Sequence, residues 1–374
     1  MFNQQRIVGR ILSNVTQTQV IYNNRCVFLK HKNSTCNLCV TYCPTEAIRL
    51  NRINKRVSID PDKCIDCGIC AAVCPTEVYK PTNSKDQELI NKGRSILKVS
   101  HNLEIGCGEI REDIQTDRIV EVSCLGAIHQ AHILGLVALG ADALHFRHGS
   151  CVRCAAKYGK ELISQTICEV KNILSPFPEI ADLKLTSSDK SADFSTPAEV
   201  LDDLPADEQN IEKISRRAFL TSLIKKGQHT VAYSLNLVLM DDKRATKKRN
   251  KLEKYLPSKR KLMLAAINSF GHTGDMVIDT TNLTGITDLE ILSDQCSVCP
   301  TCANFCPTGA LSRTDTKDKK GKVIEATLYF NPGHCTKCGL CVVACFTNAM
   351  HYKDQLNIRS FISEHPRILQ EKNL

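Results

Sequence analysis

Four runs of closely spaced cysteine constrain this chain more than any other feature. They read STCNLCVTYCP (34–44), DKCIDCGICAAVCP (62–75), QCSVCPTCANFCP (295–307) and HCTKCGLCVVACF (334–346). The chain holds 21 cysteines in 374 residues. An oxidised, disulfide-stapled scaffold would be small and would follow a signal peptide. No charged N-terminal region followed by an apolar core precedes these runs, so a reducing, cytoplasmic setting and a metal protein are expected. The longest apolar stretch, near Ile133 to Leu144, is too short and interrupted for a transmembrane segment.

The runs pair up as an internal repeat. IDPDKCIDCGICAAVCPTEVY (59–79) aligns without a gap on FNPGHCTKCGLCVVACFTNAM (330–350), and STCNLCVTYCPTEAI (34–48) on SVCPTCANFCPTGAL (297–311). The C-x2-C-x2-C spacing wraps a tight loop around one iron–sulfur cube, and a fourth cysteine three residues on reaches a second cube. Zinc needs only four thiolates from two knuckles and leaves the third cysteine of each run without a use. The pattern resembles the bacterial two-[4Fe–4S] ferredoxin family, as found in polyferredoxins. Carried over residue by residue, the resemblance implies one cluster on Cys296, Cys299, Cys302 and Cys345 and another on Cys335, Cys338, Cys341 and Cys306. In the N-terminal copy it implies one on Cys64, Cys67, Cys70 and Cys43. The last set has Cys36, Cys39 and Cys74, but Asn33 stands where the spacing wants a thiolate. Cys26, seven residues upstream, is close enough along the chain to supply the missing ligand. A three-iron cluster, or a lost cluster with Cys26 as a buried thiol, are the alternatives.

Between the copies, residues 96–175 alternate short β-branched strands with helical stretches, which implies a small parallel sheet. Cys107, Cys124 and Cys151 each follow an expected strand, and Cys154 completes a CxxC with Cys151. Ligands bind beyond the carboxyl ends of parallel strands, so these thiols would meet at one sheet edge. The stretch VSCLGAI…GADALHFRHGSCVRC resembles the small iron–sulfur subunit of methanogen hydrogenases that feed heterodisulfide reductase. That resemblance implies a further iron–sulfur cluster on Cys107, Cys124, Cys151 and Cys154. A thiol redox pair on the CxxC, or plain core cysteines, are the rivals. Cys168 is expected in the core, and His129, His132, His145 and His148 as ordinary core or surface residues.

The expected fold class is α+β: two dicluster ferredoxin-like modules (1–84 and 286–360) flanking a small α/β domain (85–175). A disordered linker (176–210), a basic helical connector (211–285) and a tail (361–374) complete the expected organisation. Within the connector, SRRAFL at 215–220 reads as a helix start capped by Ser215, not an export signal, with Gly227 as its stop. Residues 243–261 hold ten Lys/Arg against one Glu within a net charge of +9. That run is a solvated face or a docking surface for an acidic redox partner; no nucleic-acid partner is expected. There is no phosphate-binding glycine loop. The expected function is an electron-transfer subunit passing electrons between oxidoreductase or hydrogenase-type partners. The alternative is a reductase whose central cysteine site acts on a disulfide or sulfur substrate.

Overall fold

The computed structural model describes residues 19–81, 85–113, 119–180, 182–189, 254–271 and 276–373. The N-terminal module is built from β1 (Gln19–Ile21), α1 (Val27–Lys30), α2 (Leu38–Thr41), β2 (Ile48–Asn51), β3 (Arg56–Ile59), α3 (Ile69–Val73) and β4 (Tyr79–Pro81). β1 pairs antiparallel with β4, and β2 with β3. The helices are a single turn because each interrupts a cysteine loop. The two small sheets close around the thiols from either side, with Val57, Val78 and Tyr79 buried between them.

The central region contains α4 (Lys85–Leu97), β5 (Asn102–Cys107), β6 (Ile119–Val122), α5 (Gln130–Ala138), β7 (Ala143–His148), α6 (Gly159–Leu174) and β8 (Lys184–Asp189). Its four strands are all parallel, in the order β6-β5-β7-β8. Strand order therefore reverses at β5, the arrangement that opens a crevice at the carboxyl edge. Helix α5 is apolar almost all round and is buried from Gln130 to Val137, as a helix enclosed on all sides must be. Gly140 ends it with a φ of 97°, the left-handed closure expected of that glycine.

Two expected boundaries move, and one expected core residue does not lie in the core. The linker expected from residue 176 starts later, because Leu183 and Leu185 alternate with polar neighbours and β8 extends the sheet, burying Leu185. The expected tail is not one. α10 (Ile358–Ile362) buries Phe361, and β15 (Arg367–Asn373) pairs with β12 (Val323–Phe330), covering an edge of the β11 (Leu311–Lys317)–β12 hairpin. Cys168, expected in the core, is exposed: its neighbours Ile167 and Val170 take the buried face of α6.

The connector contributes α7 (Ser258–Ser269). Ser215, Gly227 and the basic residues 243–253 lie outside the described residues. The C-terminal module adds β9 (Val277–Asp279), β10 (Asp288–Ile291), α8 (Thr301–Phe305), α9 (Leu340–Ala344), β13 (Met350–Lys353) and β14 (Gln355–Asn357) to the elements already named. α7 is more than a connector. Leu262, Met263, Ala266 and Ile267 are buried in the core shared with α5. Glu77 of the first module receives Ser258 N at 3.2 Å and both the Ser258 and Tyr255 hydroxyls, capping the helix. Lys259 Nζ donates to Ala71 O at 2.8 Å. Lys254 Nζ donates to the carbonyls of Ala303, Asn304 and Cys306 at 2.9, 2.9 and 2.8 Å. One short segment thus holds both modules and the central core. Among the described residues no helix is long and apolar enough to cross a membrane.

Candidate metal centres

The cysteine runs fold alike because left-handed residues recur in them. The second spacer residue of a C-x2-C step is left-handed at Asp66, Val298 and Lys337, with φ of 52°, 51° and 49°. Thr35, in the run that lacks its first cysteine, is not among the left-handed residues. A second position recurs in all four runs, three residues after the last cysteine: Glu46, Glu77, Gly309 and Asn348. Non-glycine residues hold this conformation only where the surroundings fix it. Its effect is visible at sulfur. Following Glu46 and Glu77, the amides of Ala47 and Val78 donate to Cys43 Sγ and Cys74 Sγ at 3.3 Å. The threonines Thr45, Thr76, Thr308 and Thr347 place Oγ1 at 3.8, 3.8, 3.6 and 3.5 Å from the sulfur of Cys43, Cys74, Cys306 and Cys345. Cys345 shows the consequence. Burial raises its thiol, but hydrogen bonds from Thr347 and the amides of residues 347, 349 and 350 outweigh that and hold it below the ordinary value. Sequence reasoning missed these threonines, although the aligned repeats carry one at each of the four positions.

The structure gathers the cysteines into sets. Cys26, Cys36 and Cys39 interact electrostatically with one another and with Cys74. Cys26 is 7% exposed, whereas Asn33 is exposed. Cys43, Cys64, Cys67 and Cys70 line one cavity of about 350 Å³. Cys296, Cys299 and Cys345 act on Cys302, and Cys306, Cys335 and Cys338 on Cys341. Burial pushes the thiols of Cys39 and Cys302 up to about 12, so metal binding must release their protons.

The central thiols converge at the carboxyl edge of the sheet. Cys107 is the last residue of β5, and Cys124 and Cys151 follow β6 and β7. Together with Cys154 they line one cavity of about 300 Å³. Amides again point at sulfur: Gly149 to Cys107 and Gly126 to Cys124 at 3.4 Å, and Ala156 to Cys154 at 3.3 Å. Glu109, which the sequence did not single out, lies 3.5 Å from Cys154 Sγ. Burial pushes Cys124 up to about 12. Of the four histidines only His148 lines this cavity, and its Nδ1 is 3.0 Å from Gly149 O. His129 caps α5, His132 faces Asp86 at 3.4 Å, and His145 bridges Thr186 and Ser188.

Electrostatic influence between sets runs in single file. Cys124 senses Cys67, Cys70 senses Cys39, Cys338 senses Cys36, and Cys341 senses Cys302. The contacts within modules coincide with shared packing. Cys39, Cys43, Cys70 and Cys74 pack against the core cluster that contains Cys26, and Cys302, Cys306, Cys335 and Cys341 lie in a second cluster. Ile69, beside Cys67, packs against Cys124.

Among the described residues no three His, Cys, Asp or Glu side chains close on one point as the ligands of a single ion do. Four soft thiols around a hollow, with amides aimed at sulfur, instead fit a sulfur-bridged iron cluster. Residues 34–78 and 295–349 match the family model of the 4Fe-4S dicluster domain. These two regions support [4Fe–4S] clusters and an iron–sulfur electron-transfer role with redox partners in general. No curated protein and no solved structure matches the chain.

Proposed function

We propose that the chain is a multi-cluster electron-transfer protein that passes electrons between redox partner proteins in the cytoplasm. Four [4Fe–4S] clusters would be held by the sets containing Cys26, Cys43, Cys306 and Cys345. A fifth iron–sulfur site would be held by Cys107, Cys124, Cys151 and Cys154. Bound clusters supply one-electron chemistry; the chain supplies ligands and surroundings. Thiolates at four corners retain every iron. Amides and threonines directed at sulfur favour the more negative state, and burial opposes it. Cys26 stands in for the absent residue 33 thiolate from a turn before α1. The observation that supports the proposal is convergence: members of the expected sets act on one another although they lie up to 49 residues apart, as Cys296 and Cys345 do.

Iron and acid-labile sulfide analysis with EPR of anaerobically purified protein tests it. The modules should contribute about sixteen iron per chain, with more from the central site. A value near eight, or zinc as the main metal, would overturn the four-cluster reading.

A further inference from the structure

Among the described residues, Arg260 is a buried cation without a carboxylate partner. It is 4% exposed. Its guanidinium donates to Gly285 O and approaches Met263 Sδ at 3.4 Å, and it lies 5.2 Å from the centre of the Phe361 ring. All three are neutral. Among the described residues no carboxylate pairs with it. A buried, unpaired charge is costly and persists where a counter-charge offsets it. Phe361, beside which the guanidinium lies, packs its backbone carbonyl against Gly333 in the turn that leads into Cys335, and the Cys335 thiol is the negative group that bears on Arg260. The geometry agrees, because α7 packs against the turn Pro332–His334 that leads into Cys335.

The surroundings of Cys335 decide how much this charge matters. Asp288 also acts on Cys335, but it is paired with Arg367 at 2.6 Å. Lys337 acts on Cys335 and is shared with Glu169, Asp354 and Asp279. Lys30 acts on Cys306, Cys338 and Cys26 from the junction of the two modules, but it is exposed and solvent screens it. Lys254 acts on Cys306 but is exposed as well, so among the described cations that act on this site Arg260 is the buried one without a carboxylate partner.

We infer that Arg260 is the built-in counter-ion of the metal site formed by Cys306, Cys335, Cys338 and Cys341, and that it raises the reduction potential of that site. This rests on the proposed function, since it needs a cluster there. Reduction adds a negative charge, and a fixed cation nearby stabilises the reduced state against the opposing effect of burial. Arg260 acts here as a positioning residue, not a ligand.

An EPR-monitored redox titration of the anaerobically purified full chain tests it. Cys338→Ser assigns the signal of this site by converting or removing it. Arg260→Met should shift the potential of that signal downward and leave the other three in place. Arg260→Lys, which keeps the charge, should restore most of the shift. Lys30→Gln should give a smaller shift, shared with the Cys26 site. An Arg260→Met protein whose four potentials all match the parent overturns the inference, as does an equal shift at all four. Should Arg260→Met fail to fold, Arg260→Gln provides the neutral comparison. Iron content measured on the same samples separates the two readings. A chain lacking this cluster is short of iron and overturns the proposed function as well, whereas a full complement with unmoved potentials overturns only the role of Arg260.

Discussion

At the scale of single residues, the sites depend on positions that are not ligands. Gly159 opens α6 beside the central thiols. A Cβ there would lie 2.7 Å from Cys124 Sγ and 3.8 Å from Cys151 Sγ, closer to the first sulfur than packing permits. Gly159→Ala should therefore displace Cys124 and reduce or abolish the central iron–sulfur signal. The four module clusters should keep theirs, because the atoms nearest to that Cβ belong to Cys124, Cys151 and Gly126 and to no module cysteine. Optical and EPR spectra of the variant check this, and a wild-type central signal would refute the steric argument. The left-handed residues work in the same local way. Glu77 has a φ of 53°, and that twist both turns the following amide onto Cys74 and sends the carboxylate outward to cap α7.

At the scale of elements, a short helix carries the proposed substitute for the missing cysteine of the first run. Cys26 is the residue before α1, and α1 sets its thiol into the packed group with Cys39 and Cys74. Arg52 fixes this stretch by donating to Phe28 O at 3.3 Å and Ser34 O at 2.8 Å. Cys26→Ser should convert one [4Fe–4S] cluster to a three-iron form. The loss of about one iron per chain, together with a new EPR signal in the oxidised protein, would report it. The set containing Cys43 should be untouched. Unchanged iron would mean that another group holds the fourth corner.

At the scale of the whole molecule, segment 254–269 holds the modules in register. Glu77 is 4% exposed and receives Ser258, Tyr255 and, at 3.7 Å, Arg25. Removing a buried charge from such a network costs about 3–5 kcal/mol, so Glu77→Ala should lower the Tm of the loaded protein clearly. Glu77→Gln, which keeps an acceptor, should cost less. Equal melting temperatures for all three proteins would show that the strap carries little. The same register makes the file of sites open-ended. Cys36 of one copy and Cys338 of the other line one hollow, yet the repeat aligns Cys36 with Cys299 and Cys338 with Cys67. Unlike ends meet, a head-to-tail contact that leaves both ends of the series available. The central thiols stand at one end and the Cys345 set at the other, where Phe346 is 71% exposed.

The sequence by itself determined the chemistry of the runs, their duplication and the parallel sheet. Cysteine spacing, alternation and strand-ending thiols are local patterns, and local geometry follows from them. The grouping of Cys26 with Cys36, Cys39 and Cys74 was legible by a count along the chain, and the gathering of the central four thiols by the rule that parallel strands present ligands at their carboxyl edge. What the spacing could not carry was anything set by approach in space. β8 and β15 are strands because a sheet edge was there to pair with, and Cys168 is exposed because its helix turns that face outward. The order of the cysteine sets, and the burial of Arg260 on a helix that packs against the turn leading into Cys335 some 75 residues away in sequence, arise only when distant segments pack together. Hydrophobic burial brings those surfaces together without regard to sequence distance, so no motif records the result.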